Sequence, residues 1–129
     1  MAISTIRNDI YTYLVTSPLN AEVNNAIAWV VDINQQYPCV VMNLSRKKRS
    51  DLTKSELAPL SLIVQIIAKD IGSLDPATDA AYFALERQVF GSIVSCQMEQ
   101  AMEGDAPISG DPENILYYSN LTFSIYAKE

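Results

Sequence analysis

Arg46-Lys47-Lys48-Arg49 gathers four of the nine basic residues of this 129-residue chain into one tetrapeptide, in a polar loop between two apolar runs, Pro38 to Leu44 and Leu60 to Lys69. Four adjacent cations can neutralise phosphates and release counterions. They can equally meet an acidic protein surface or simply be solvated. The chain as a whole is acidic, with a formal net charge of −6. A nucleic-acid module usually presents a wider basic face with a readable motif, whereas Asp51, Lys54 and Glu56 follow this cluster. The readings therefore rank as solvated loop, protein-docking element and nucleic-acid contact, in that order. Arg46, Lys47, Lys48 and Arg49 are the candidate interface residues.

The other reactive side chains point away from catalysis. The chain has no histidine, which removes Ser-His-Asp and Cys-His pairings and the common zinc sites. Cys39 and Cys96 are too few for a disulfide framework or a complete zinc site, so two reduced thiols are expected. The Asp75-Pro76-Ala77-Thr78-Asp79 cluster has the carboxylates for acid-base work or a magnesium site, but a helix cap accounts for it without further assumption. Asp105, Asp111 and Glu113 read as solvated acidic residues. Nothing matches a Gly-rich phosphate loop, a dinucleotide fingerprint or a calcium loop. The chain reads as a non-enzyme with no catalytic residue, cofactor or metal.

The length is that of one domain, able to bury roughly two thirds of its unfolded surface. The 49% apolar and 19% charged composition is that of a globular domain. No apolar run approaches the roughly 20 residues of a membrane span, and the first residues lack the basic head and apolar stretch of a secretory signal. The protein is expected to stay where it is made. Charge is unevenly spread: residues 1 to 69 carry seven basic and five acidic groups, residues 70 to 129 two basic and ten acidic. Such a bipolar chain can attract copies of itself head to tail if its ends lie on opposite surfaces; otherwise both signs solubilise the surface.

Hydrophobic spacing supplies the elements. Ile3, Ile6, Ile10 and Leu14 recur every three or four residues, predicting a helix over about 3–15 that Ser17-Pro18 stops. A turn or short helix should follow, then a strand near Ala28 to Ile33. The Pro38 to Leu44 run predicts a mostly buried strand. In the Leu60 to Lys69 run, Leu60, Leu62, Val64, Ile66 and Ala68 share the core face, while Ile63 and Ile67 on the other face need cover. From Asp75-Pro76, Tyr82, Leu85, Val89, Ile93 and Cys96 keep helical spacing, with Phe83, Phe90 and Val94 widening the stripe. A long helix to about Met102 is predicted, with Gly91 in its interior at a cost of about 1 kcal/mol and a possible close approach to a strand. Glu103 to Glu113 then reads as a surface loop. Leu121, Phe123, Ile125 and Ala127 alternate as the inner face of a last strand, near which Tyr117, Tyr118 and Tyr126 are expected under a helix. The fold class is α+β: a single small domain, residues 1–129, with two helices on a largely antiparallel or mixed β-sheet.

The order of these parts resembles the tail terminator proteins of long-tailed phages, the lambda-type minor tail protein U or tail completion family. The resemblance spans nearly the whole chain. It is carried by the N-terminal helix Ile3 to Leu14, the proline-led Tyr37-Pro38-Cys39-Val40-Val41-Met42-Asn43-Leu44, the charged loop, Leu60 to Ala68, a long second helix, and most closely Ser119-Asn120-Leu121-Thr122-Phe123-Ser124-Ile125-Tyr126. The loop departs from the family, being strongly basic where the lambda-type protein is more acidic. The resemblance implies a structural protein of the virion tail, assembled in the bacterial host cytoplasm. It implies a homohexamer ring that caps the completed tube, stops its polymerisation and offers a surface for joining the head. The implied partners are the chain itself, the tail tube protein and a head-tail connector protein, with DNA only as transiting cargo and no membrane. A head-completion or connector protein of similar fold is the alternative, followed by a small nucleic-acid-binding module.

Overall fold

The computed structural model describes residues 3–24, 26–29, 37–47, 57–108 and 111–128. Its elements are α1 (Ile3–Val15), α2 (Pro18–Glu22), β1 (Ile27–Ala28), β2 (Cys39–Arg46), β3 (Leu57–Ala68), α3 (Ile71–Leu85), β4 (Ile93–Ile108) and β5 (Asp111–Lys128). The strands form one mixed sheet in the order β1-β2-β3-β5-β4, parallel only between β1 and β2. The α+β class is as the sequence predicts.

Strict alternation drives the central strands. Val40, Met42 and Leu44, then Leu60, Leu62, Val64 and Ile66, then Leu121, Phe123 and Ile125 are buried on one face. Ile6, Ile10 and Leu14 of α1, Leu19 of α2, and Leu74, Ala77, Ala81 and Leu85 of α3 join the same core. Each fully buried Leu, Ile or Phe stabilises the fold by about 1.5–3 kcal/mol relative to exposure. Among the described residues no helix lies on the other sheet face, whose residues are mostly half-buried or exposed.

Several expectations need correction. The long helix to Met102 is two elements: α3 ends at Leu85, and β4 takes over at Ile93. The helix starts earlier than Asp75-Pro76. Asp70 is its N-cap, accepting from the Ser73 N–H at 2.7 Å, and Pro76 lies inside the helix. Glu103 to Glu113 is not a loop, because β4 and β5 run through it on either side of 109–110. The turn or short helix expected after Ser17 is α2, which makes three helices among the described residues. Of the strand expected near Ala28 to Ile33, Ala28 lies in β1 and Trp29 lies beyond its end; residues 30–33 lie outside the described residues. Phe83 is exposed instead of widening a core stripe. Tyr117 packs against the core, but Tyr118 and Tyr126 alternate onto the face without helices.

Bulges explain the misread helix. Ile93 pairs with Ala127, Cys96 with Ile125, and Met98 with Phe123, with register shifts between Ile93 and Ser95 and between Met98 and Gln100. Each shift inserts an extra residue into β4, so Ile93 and Cys96 reach the core together although three positions apart. Three-residue spacing on a bulged strand imitates a helical stripe.

A clamp from α1 fixes where α3 ends. Tyr13 stacks on Phe90 with ring centroids 3.9 Å apart and donates its hydroxyl to the Ala84 carbonyl. The Asp9 carboxylate accepts from the Ser92 N–H at 3.0 Å and from its hydroxyl at 2.6 Å. Between them Gly91 adopts φ +51, and a Cβ there would lie 2.9 Å from Asp9 Cγ. The close approach foreseen for Gly91 is real, but it is to a helix and within a turn. Past the end of β3 at Ala68, β4 and β5 continue as a two-stranded arm through Ala106↔Leu116 to Ile108↔Asp111.

Gly91→Ala is expected to destabilise the protein by more than about 1 kcal/mol, because it adds both a left-handed side chain and a clash. Asp9→Ala should cost about 1–3 kcal/mol by orphaning the Ser92 donors. Urea denaturation of the double variant should show less than the sum, since Asp9→Ala removes Cγ and Oδ2, two of the three Asp9 atoms that the new methyl meets. Strict additivity would contradict the clamp.

Candidate functional site

Arg46 ends β2, exposed, opposite Leu60 of β3. Lys47 follows at once, its N–H donating to the Pro59 carbonyl at 3.0 Å, which holds the backbone beside β3 for one residue beyond the strand. Lys48 and Arg49 lie outside the described residues. The structure thus places two of the four cations, together, at one end of the sheet.

Lys47 is already engaged. Its ammonium donates to Glu99 Oε1 at 2.6 Å and to the Ser124 hydroxyl at 3.0 Å, reaching over the helix-free face toward β5 and β4. The hydrogen bond from Lys47 holds the Glu99 carboxyl below the ordinary carboxylate range, aided by the ammonium charge and the Ser124 hydroxyl and opposed by partial desolvation. An exposed pair of this kind contributes about 0.2–1 kcal/mol. Its larger consequence is for recognition, since a cation spent internally leaves less charge for an outside partner.

The face that Lys47 crosses is short of charge. Asn43, Ile63, Thr122 and Gln100 form one row across β2, β3, β5 and β4, and Val41, Gln65, Asn120 and Met102 the next. Ile63 and Met102 are exposed there and Ile67 is half-buried, so no helix among the described residues covers Ile63 or Ile67. Tyr118 lies over Gly104, where a Cβ would meet the Tyr118 ring. The glycine opens space that the aromatic fills across the strand pair. Asn120 Oδ1 is buried and has no protein partner among the described residues.

Both cysteines are held as protonated thiols. Burial pushes the Cys39 thiol up to about 11, and burial with the neighbouring Glu86 carboxylate pushes Cys96 up to about 12. Both are free and buried, and the thiolate that would attack is scarce at neutral pH. Among the described residues no three His, Cys, Asp or Glu side chains gather as metal ligands. Glu86 is occupied structurally: its carboxylate accepts from the Met98 N–H at 2.6 Å.

Sequence reasoning missed a second surface. Phe83 and Val89 are exposed at the end of α3, near a groove of about 520 Å³ lined by Tyr13, Pro18, Ala80 and Ala84. The available signal was the succession of alanines at 77, 81 and 84, which form α3's buried face with Leu74 and Leu85 and turn Phe83 outward.

No protein-family model matches the chain, and no curated protein matches it. Among solved structures, a chain of the virion of a native gene transfer agent particle matches with a TM-score of 0.73 at 15% identity. The match covers 98% of this chain and 97% of that one. At this identity the likeness is one of fold, and it extends end to end.

Because the Glu99 carboxyl is depressed in the folded state, its contribution is present above the unfolded glutamate value and lost as pH falls through the folded one. Replacing Lys47 by Met should raise the titration of Glu99, followed by carboxyl NMR, and cost at most about 1 kcal/mol at neutral pH. That cost should vanish at a pH below both titrations. An unmoved Glu99 would contradict the pairing.

Proposed function

We propose that this chain is a structural virion protein. It assembles as a homohexamer ring on the completed tail tube of a long-tailed phage or related particle, stops the tube's growth and presents a surface for joining the head. The observation that carries this reading is the end-to-end fold likeness to a chain of a gene transfer agent virion. It agrees with the resemblance read from the order of segments.

The physical act is occupancy. A ring sharing the tube's symmetry covers the surface on which the next tube ring would grow. Specific interfaces of this kind bury about 1,600 Å² in total. Nothing in such an act needs a nucleophile, and the raised thiols of Cys39 and Cys96 suit a passive role. In this reading Arg46, with Lys48 and Arg49, meets acidic partners on the tube or the neighbouring subunit, while Lys47 shapes the end of the sheet. The acidic remainder keeps transiting DNA from adhering.

Electron microscopy of particles made without this protein is expected to show tails of uncontrolled length. Normal-length, unattached tails would assign it to head completion instead, and ordinary virions would contradict both. Complementation with Arg46→Glu plus Arg49→Glu should fail to restore tail length while the purified variant keeps its melting temperature.

A further inference from the structure

The outward side of α3 is a stripe: Ile71, Asp75, Asp79 and Phe83 recur every four residues, and all are exposed. Phe83 is 72% exposed, and Val89, just beyond the helix, 71%. Arg87 stands between them with its side chain 84% exposed, 3.8 Å from Glu86. Apolar surface rimmed by charge marks an interaction site. A complement lies at the other end of the same helix. There a groove of about 370 Å³ is lined by Ile71, Leu74, Asp75, Glu103, Gly104 and Tyr117. It pairs apolar walls with two carboxylates.

We infer that the C-terminal end of α3 in one copy docks into the groove at the N-terminal end of α3 in the next. Phe83 sits against Ile71 and Leu74, and Arg87 faces Asp75 and Glu103. Charge complementarity identifies the occupant as a second copy, because the cation and the acidic rim belong to one chain, and Arg87 is one of only two basic residues after position 69. Two antiparallel α3 helices related by a two-fold axis would also bring Phe83 over Ile71. That arrangement sets Asp75 of each copy against Asp79 of the other, and like charges face to face are repelled. The head-to-tail arrangement avoids the clash, and heterologous contacts that close produce rings.

This inference rests on the ring reading given above and adds the surfaces that build it. Each patch is small beside the roughly 800 Å² per partner of a standard interface. A single contact is therefore weak, and the closed ring, in which every copy makes two, is the stable form.

The test is covalent trapping of the full chain carrying Pro76→Cys and Gln88→Cys, both exposed positions. Residue 76 lies nine helical residues, about 14 Å, before the end of α3. A disulfide spans only about 4.4–6.8 Å between Cα atoms, so the two thiols pair between copies. Under mild oxidation the double variant should give a ladder of trimers and larger species, while either single variant stops at dimer. Adding Asp75→Lys should reduce the ladder at least tenfold, as should Arg87→Glu, and combining both reversals should restore it. A double variant that yields no more than the singles, or a ladder indifferent to both reversals, overturns the inference. If the wild-type protein limits tail length yet no ladder forms, the capping role stands and this surface assignment alone falls.

Discussion

Asp9 joins parts of the molecule that are far apart in sequence. From the first helix its carboxylate holds the Ser92 N–H and hydroxyl, and Ser92 is itself buried. The Ser92 carbonyl accepts from the Lys128 N–H, so the end of β5 is tied to the same point. The stacked Tyr13 and Phe90 rings lie beside it. A buried hydroxyl or amide left without a partner costs about 1–3 kcal/mol, so these bonds decide where α3 may end and β4 begin. Both surfaces flanking that turn, the Phe83 end of α3 and the edge strand β4, depend on this placement.

Much of the fold was legible because its central strands obey a simple period. β2, β3 and β5 alternate cleanly, and α1 keeps a three-and-four spacing, so each announces its buried face. β4 does not. Its bulges bring Ile93 and Cys96 inward at helical spacing, and the breaker in that stretch, Gly91, reads as a tolerated helix glycine until Asp9 is seen against it. The cap was misplaced for a related reason: Asp70 and Asp75 both suit the role, and the burial of Leu74 in the core, which draws the turn before Asp75 into the helix, chooses between them. The basic cluster was legible as composition, but the engagement of Lys47 by Glu99 was not, since 52 residues separate them.

Charge and shape give the chain two unlike ends and a sheet face with few ions. Arg46 stands at one end of the sheet, while the arm of β4 and β5 carries Asp105, Asp111 and Glu113 in its sequence. Edge strands such as β4 invite pairing with another chain, and charged residues such as Glu99 along the strand discourage indiscriminate pairing. The two thiols are buried, and the carboxylates of Asp9 and Glu86 are bonded to backbone. A protein that acts by covering another surface needs this combination: a rigid sheet, and contacts that work once copies are held side by side.

The proposed function is occupancy by a ring of identical copies. It is tested most directly by titrating the purified protein into elongating tubes of the cognate tube protein and measuring length against the ratio of chain to tube tips. Growth is predicted to stop at about one ring per tip, independent of nucleic acid. Tubes that keep lengthening with the protein in large excess would contradict the account.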